Sequence, residues 1–371
     1  MNRRGIALLL VLLALLITGM LAAGVLVSTS AQTRASGDAR LAHKTLEAAE
    51  RGHIEAAMSW NPESSLTMAI GATLGPITTT YSDTTSSLTW ITRLSRGTLW
   101  ISALGRGPPS TVLAPVQRRI AVLYGLHLAD MRVTAALSAD DSVHVAGAGT
   151  VDGQDAVPPR WSAVCGPLGP GVAGLAVPDT TRVTGKGYSG APRLLADSAA
   201  AVPVISGQLG GATWTSLTAH ATRVLSGPAM VTPAPSLTGP AQCDTAAAAN
   251  WGDPTRTGAC ANRFVIVHAR GDLTIDGGLG QGIVLGEGDV ELRNGAQFFG
   301  LILARDDLLA SVGPNRIWGA AIAGDSRRGN ADGSVIAATS AVTYSSCAVE
   351  MSLLGSAPLR RRSQRAWGVS H

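Results

Sequence analysis

The chain has 371 residues, of which 46% are hydrophobic, 15% charged and 4% aromatic, a balance that excludes a disordered tail protein and a collagen-like polymer. Lysine and arginine outnumber aspartate and glutamate by only 29 to 25, and positive charge clusters at the two ends, in Arg3 with Arg4 and in Arg360, Arg361, Arg362 and Arg365. Nucleic acid, which needs a clustered basic surface, is therefore not an expected partner. The 44 glycines and 19 prolines weaken or break helix interiors, so most of the body is expected to be strands joined by turns.

The first element is apolar. From Ile6 to Val27 no residue is charged, and only Thr18, Gly19 and Gly24 interrupt the run. Its length, about 22 residues at about 1.5 Å each, spans a hydrocarbon core of about 30 Å. Arg3 and Arg4 precede it, and positive charge on the short flank holds that flank in the cytoplasm. The expected arrangement is a single pass through the inner membrane, with the N-terminus cytoplasmic and the body extracytoplasmic. A cleaved secretory signal, with Thr29-Ser30-Ala31 as its processing site, is the competing reading, but its apolar centre is normally about 7 to 15 residues long.

No break separates this run from a second helical stretch reaching Ser59, which contains no proline. Ala31, Ala35, Ala39, Ala42, Leu46, Ala49, His53 and Ala56 recur at steps of three and four, forming a stripe of small residues. Arg34, Asp38, Arg40, Lys44, Glu47, Glu50, Arg51 and Glu55 occupy the other face. A rod of about 80 Å is expected, emerging from the lipid and laying its alanine seam against a partner.

The leucine-rich run Arg4-Gly5-Ile6-Ala7-Leu8-Leu9-Leu10-Val11-Leu12-Leu13-Ala14-Leu15-Leu16 leads into an alanine-rich polar helix ending Glu47-Ala48-Ala49-Glu50-Arg51-Gly52. Together they resemble the N-terminal domain of the PilX-like pilus-assembly proteins, minor members of the type IV pilin and pseudopilin superfamily. The resemblance implies cleavage after Gly5 by a prepilin peptidase, methylation of the new amino group on Ile6, and packing of the helix among other pilin or pseudopilin subunits. Major pilins begin the mature chain with Phe and carry Glu at the fifth mature position, where this sequence has Ile6 and Leu10. The same absence of glutamate marks the K-type minor pseudopilins, so the departure favours a minor, low-copy role.

Beyond the helix, Ser87 to Ser95, Thr98 to Leu104 and Arg119 to His127 read as strands of an antiparallel meander packed on the helix. Leu88, Trp90, Thr92 and Leu94 share one face of the first; Leu99, Ile101 and Ala103 share one face of the second. An internal repeat follows. Gly271-Asp272-Leu273-Thr274-Ile275, Gly288-Asp289-Val290-Glu291-Leu292 and Asp306-Asp307-Leu308-Leu309-Ala310 recur at about 17 and 18 residues, and Gly282-Ile283-Val284-Leu285, Gly300-Leu301-Ile302-Leu303 and Gly319-Ala320-Ala321-Ile322 at about 18 and 19. Stacked coils would place Leu273, Val290 and Leu308 in one column and Ile283, Leu301 and Ala320 in another, which predicts a short β-solenoid over 264–343, with a plain meander as the alternative. Val143 to Gly153 has the composition of a further coil. The proline- and glycine-rich segment between is expected to cross over, with one helix from Thr213 to Leu225.

The fold class expected is α+β: a long N-terminal helix followed by a mainly β head. The divisions are a leader at 1–5, the membrane and filament-packing helix at 6–59, a β-meander at 60–157, a loop-rich crossover at 158–262, solenoid repeats at 263–350 and a solvated basic tail at 351–371.

Cys165, Cys243, Cys260 and Cys347 include no Cys-x-x-Cys pair and no zinc-finger spacing, so no metal is expected; an even count outside the cytoplasm reads as disulfides. Of three pairings, Cys243 with Cys260 and Cys165 with Cys347 is favoured. Candidate chemistry is sparse. Gly187-Tyr188-Ser189-Gly190 lacks the closing glycine of a nucleophile elbow, Gly324-Asp325-Ser326 lacks a partner histidine, and the histidines are scattered. Asp272, Asp289, Asp307 and Asp325 would stack at a turn, where aspartate is favoured by its own backbone hydrogen bonds and could also bind calcium through oxygen ligands. Arg270-Gly271-Asp272 matches an adhesion tripeptide but opens a repeat unit. The expected function is a non-catalytic minor pilin-like subunit without cofactor. The alternative is a single-pass envelope protein whose solenoid binds polysaccharide or protein.

Overall fold

A computed structural model describes residues 3–108, 116–126, 133–197, 208–209, 212–325, 333–356, 358–362 and 367–370. Its first element, α1 (Arg3–Met58), is one unbroken helix of 56 residues, about 84 Å long. Residues 10 to 40 are all exposed, and none of the apolar span is covered by the rest of the chain. The helix is long and apolar enough to cross a membrane.

The C-terminal part of α1 lies on an antiparallel sheet of β1 (Thr73–Thr80), β2 (Ser86–Ser95), β3 (Thr98–Arg106) and β4 (Gln117–Leu126), in that spatial order. The buried helix face is Thr45, Ala48, Ala49, Gly52, His53 and Ala56, with Ala42 and Leu46 only half-buried. Ala49, His53 and Ala56 of the expected stripe lie in the seam, while Thr45, Ala48 and Gly52 join it in place of Ala42 and Leu46, because the closest approaches are at Gly52 and at Gly105 of β3. A β-carbon on Gly52 would collide with Ser87 Oγ, and one on Gly105 with the carbonyl oxygen of Thr45. So tight a contact leaves room only for small partners, and β2 presents Ser87 and Thr89 there, with Ile91 and Arg93 farther along the same inward face. Leu88, Trp90, Thr92 and Leu94 do share a face, but it is the outer one. Arg119 lies over the Trp90 ring there, 5.5 Å from its centroid.

The chain ends in this same sheet. Leu359–Arg361 and Trp367–Ser370 both pair antiparallel with β4. The basic end is therefore not a solvated tail: β4 needs partners for its outer row of backbone groups, and a Leu- and Trp-bearing segment supplies them.

The rest is a parallel β-solenoid. One sheet runs Tyr188–Ser189, Thr150–Asp152, Ala341–Tyr344, Arg316–Ala323, Gln297–Ala304, Leu279–Gly286, Val265–Ala269 and Arg223–Leu225; the other runs Ala229–Val231, Leu273–Asp276, Val290–Arg293, Leu308–Val312, Ser334–Ile336, Val143–Val145 and Val183–Gly185. The repeat columns are in register: Leu273 pairs with Val290 and Val290 with Leu308, while Ile283 pairs with Leu301 and Leu301 with Ala320. Gly282, Gly300 and Gly319 form a third column with φ of 129°, 139° and 140°, where a side chain would strike the backbone of the coil below. The glycine that opens each unit of the second register is therefore a steric requirement of stacking.

The solenoid is larger than the repeat alone indicates. The Val143 coil belongs to it, and so do Ala135–Ala139, Ala173–Val177 and Leu194–Ala196. The segment 158–262 does not merely cross over, and sheet membership does not follow the divisions at 157 and 262. Its helix is α3 (Trp214–Ala219), shorter than expected and capped reciprocally by Thr213 and Ser216; α2 (Ser64–Thr67) precedes it in the chain. Arg223–Leu225 extends into a strand, since its backbone pairs with Val267 to Ala269. Finally α4 (Ser346–Ser356) packs across the first solenoid sheet, burying Ala348, Val349, Leu353 and Leu354. Covered by the solenoid interior on one side and by α4 and the Trp161 loop on the other, strands such as Gln297–Ala304 are buried along nearly their whole length.

Candidate functional site

Three places bear on function: the rod, the disulfide-pinned cover of the solenoid, and two clusters of ionisable groups on it. Gly5 and Ile6 lie in the first turns of α1, which begins at Arg3. The exposed stretch from Leu10 to Val27 includes Leu12, Leu13, Leu16, Met20 and Leu26, each at least half exposed. Such a surface is stable only against lipid or other apolar helices. Immediately beyond, Thr29 and Thr33 hydroxyls donate back to the carbonyls of Val25 and Thr29, satisfying their own hydrogen bonds without water.

Cys243 is bonded to Cys260 and Cys165 to Cys347, the pairing favoured from the sequence. The second bond ties the Trp161 loop to the first turn of α4, where Asp155 accepts from the Ser346 backbone N–H at 2.8 Å and from its hydroxyl at 2.6 Å. Trp161 is fully buried, stacks on Phe299 and donates to the Pro254 carbonyl at 2.8 Å. Cover, disulfide and cap act together on the outer face of the solenoid sheet.

Glu287 collects a cluster that the sequence did not single out. Its carboxylate accepts from Trp214 Nε1 at 2.9 Å and Arg305 Nη1 at 2.8 Å, and His268 Nε2 lies at 3.0 Å. Burial alone would raise its pKa, but these hydrogen bonds and the Arg305 charge outweigh burial and hold it below the usual glutamate range. Arg305 also covers the Trp214 ring at 4.7 Å. A carboxylate so committed fastens α3 to the solenoid. Only the spacing of Trp214 from a repeat-borne glutamate could have signalled it, and that spacing is nonlocal.

The aspartate column forms in part. Asp272 Oδ1 accepts from the Asp289 backbone N–H and Asp289 Oδ1 from that of Asp307, each at 3.1 Å. Carboxylate oxygens of Asp289, Asp306 and Asp307 come within 4.8 Å of one another, with Asp306 and Asp307 buried. Burial, then the charges of Asp289 and Asp306, push Asp307 up to about 7, opposed weakly by Ser334 Oγ. The group can share a proton or hold a hard cation through oxygen ligands. Asp306 was not expected here, since the repeat places its neighbour Asp307 in the column; Asp325 lies outside the cluster. The Arg270-Gly271-Asp272 aspartate is one of these ladder acceptors.

The serine motifs are not assembled into catalytic constellations among the described residues. Ser189 donates to Asp152 at 2.8 Å on a strand edge, and Ser326 falls outside the described residues. His53 is buried beneath the meander 6.4 Å from the Tyr124 ring, and burial lowers its pKa.

No family model matches the chain, and no curated protein matches it. Among solved structures, the competence-associated pilin ComZ from Thermus thermophilus aligns over 89% of this chain and 97% of its own, at 9% identity and a TM-score of 0.26. Overlap of that degree does not bear on function.

Proposed function

We propose that the chain is a minor, non-catalytic pilin-like subunit, anchored in the inner membrane with its N-terminus in the cytoplasm and its head outside. A prepilin peptidase removes the leader after Gly5, Ile6 becomes the methylated terminus, and the rod passes from lipid into a type IV pilus or pseudopilus among other pilin-type subunits. The observation that carries this reading is the division of α1. Its residues 10 to 40 are all exposed, whereas its last third is fitted into the meander through Thr45, Ala48, Ala49 and Gly52. A simple tether needs about 20 apolar residues and no rigid extension. A helix continued without a break from the apolar span into the head instead fixes the head's position relative to any bundle the rod enters. Leu10 removes the charge pairing of major pilins, which suits a subunit present in few copies.

The test is to co-express the chain with a prepilin peptidase and read the mature N-terminus. Processing to methylated Ile6, abolished by Gly5→Leu, is the expected result. An intact Met1 would leave a membrane tether, and loss of the whole apolar run would make the protein a secreted one.

A further inference from the structure

We infer that the seam between the last third of α1 and the meander is an acid-sensitive joint, with His53 as the group that loosens it. The joint closes on small side chains: Thr45, Ala48, Ala49, Gly52 and Ala56 line its helix side, and a β-carbon on Gly52 or Gly105 would collide across it. His53 is the one ionisable side chain among the described residues of that buried helix face, and it is only 4% exposed. Its Nδ1 is shut off from solvent and has no hydrogen-bond partner. An imidazolium carries N–H on both ring nitrogens. Protonation in the closed seam therefore leaves the Nδ1–H with neither water nor a bonded acceptor, whereas protonation of the undocked ring costs no hydration.

Each element around the ring has its own influence. Strand pairing sets Arg361 opposite Tyr124, whose ring lies 6.4 Å from that of His53, and so brings a positive charge near the imidazole. Tyr124 itself is a phenol that burial keeps neutral. The inward faces of β2 and β3 carry one ionisable group, Arg93, which donates to the carbonyls of Met68 and Arg96. On α1, the Glu50 charge and the carbonyls of Ala49 and Glu50 favour the charged ring. Burial is the largest influence and Arg361 adds to it; together they outweigh the rest and hold the His53 pKa below its ordinary value of 6.5. When α1 lifts from the sheet the ring regains that value, so between the two values the undocked state binds more protons. Docking is therefore at full strength above about pH 6.5 and weakens progressively as pH falls below it. Acid thus frees the head from its fixed bearing on the rod. The joint lies within one chain, so it operates whether the rod enters a filament or stays in lipid.

Asp307 in the solenoid responds to pH with the opposite sign, so the joint has to be read locally. The test takes the full chain in detergent micelles and follows backbone hydrogen exchange by mass spectrometry at about pH 7.5 and about pH 5, with intrinsic rates corrected for pH. Residues 45–58 are expected to lose protection at least about threefold at the lower pH, while Gln297–Ala304 in the solenoid keeps its own. His53→Gln, which cannot titrate, is expected to remove the loss, and Arg361→Gln, at an exposed position, to shrink it. Should His53→Gln fail to dock, carbon-13 labelling of histidine in the parent decides: one ring is expected to titrate below pH 6.5 and to shift upward in Arg361→Gln. Protection of residues 45–58 that is equal or greater at pH 5 overturns the inference. So does a loss that persists undiminished in a docked His53→Gln, or the absence of any ring with that titration.

Discussion

Asn315 shows how a single side chain can close a coil. It is 1% exposed; its Oδ1 accepts from the backbone N–H groups of Gly295 and Ala296, and its Nδ2 donates to Leu292 O, Val312 O and Ser340 Oγ. Asn315→Ala strands several buried backbone groups at once, each worth about 1 to 3 kcal/mol. The expected loss in a urea melt is at least about 3 kcal/mol. Asp307 gives a pH dependence instead. Folded, it holds its proton up to about pH 7; unfolded, it releases it near the ordinary value of 3.8. Between these the folded state binds more protons, so this residue makes stability fall as pH rises from about 4 to 7 and level off above. Thermal midpoints should drop across that range, and Asp307→Asn, the neutral isostere, should remove the drop. A parent midpoint that is flat or rising from pH 5 to 8, with the variant unchanged, would contradict the shared burial of these carboxylates.

At the scale of elements, the helix–sheet contact depends on the absence of two side chains. Gly105→Ala places a methyl against the Thr45 carbonyl, so α1 must lift from β3, while Gly19→Ala on the free part of the same helix meets nothing within 4 Å. The first is expected to lower the melting midpoint of the head by several degrees and the second to leave it unchanged. This contact also marks how far the sequence could be read. The rod was legible because charge and hydropathy change along it in long blocks, and the solenoid columns because nearly equal offsets recur in two registers. The seam was legible only in part, at Ala49, His53 and Ala56, because the alanine stripe continues through both the free and the docked part of α1, so small size alone could not say where glycine sets the approach. The paired C-terminal strands were hidden for a different reason. Arg360 and Arg361 face solvent, while what holds the strands is the backbone edge of β4, which leaves no mark in the sequence. Asp306 and Glu287 were equally silent, since each acts through neighbours on other coils.

The whole molecule is threaded so that neither module is contiguous. The chain leaves the first sheet after β4, builds the far coils of the solenoid with residues 135–196, returns through 223–344 for the rest, and re-enters the first sheet with its last strands. Several links fasten the two bodies: Ser65 Oγ donates to the Leu354 carbonyl at 2.7 Å, Arg96 pairs with Glu350, and Arg263 lies 3.8 Å from Glu63. Burial is the first influence on Glu63 and raises its pKa, with Arg263 opposing it, so this last link is the weakest of the three. The repeats at 263–350 therefore do not form an independent unit. Cut out, that segment loses Arg223–Leu225 and Ala229–Val231 from one end, Thr150–Asp152 and Val143–Val145 from the other, and the Cys165 partner that holds α4. Each removed strand exposes a row of backbone groups and the apolar side chains beneath it. A fragment of residues 263–350 is expected to be aggregated or unfolded, and one of residues 133–356 to keep a β-type circular dichroism spectrum and a cooperative thermal transition. If the short fragment melted cooperatively as a monomer, the strands drawn from 135–231 would be decoration on a self-sufficient core, and the interlaced threading would have no energetic role.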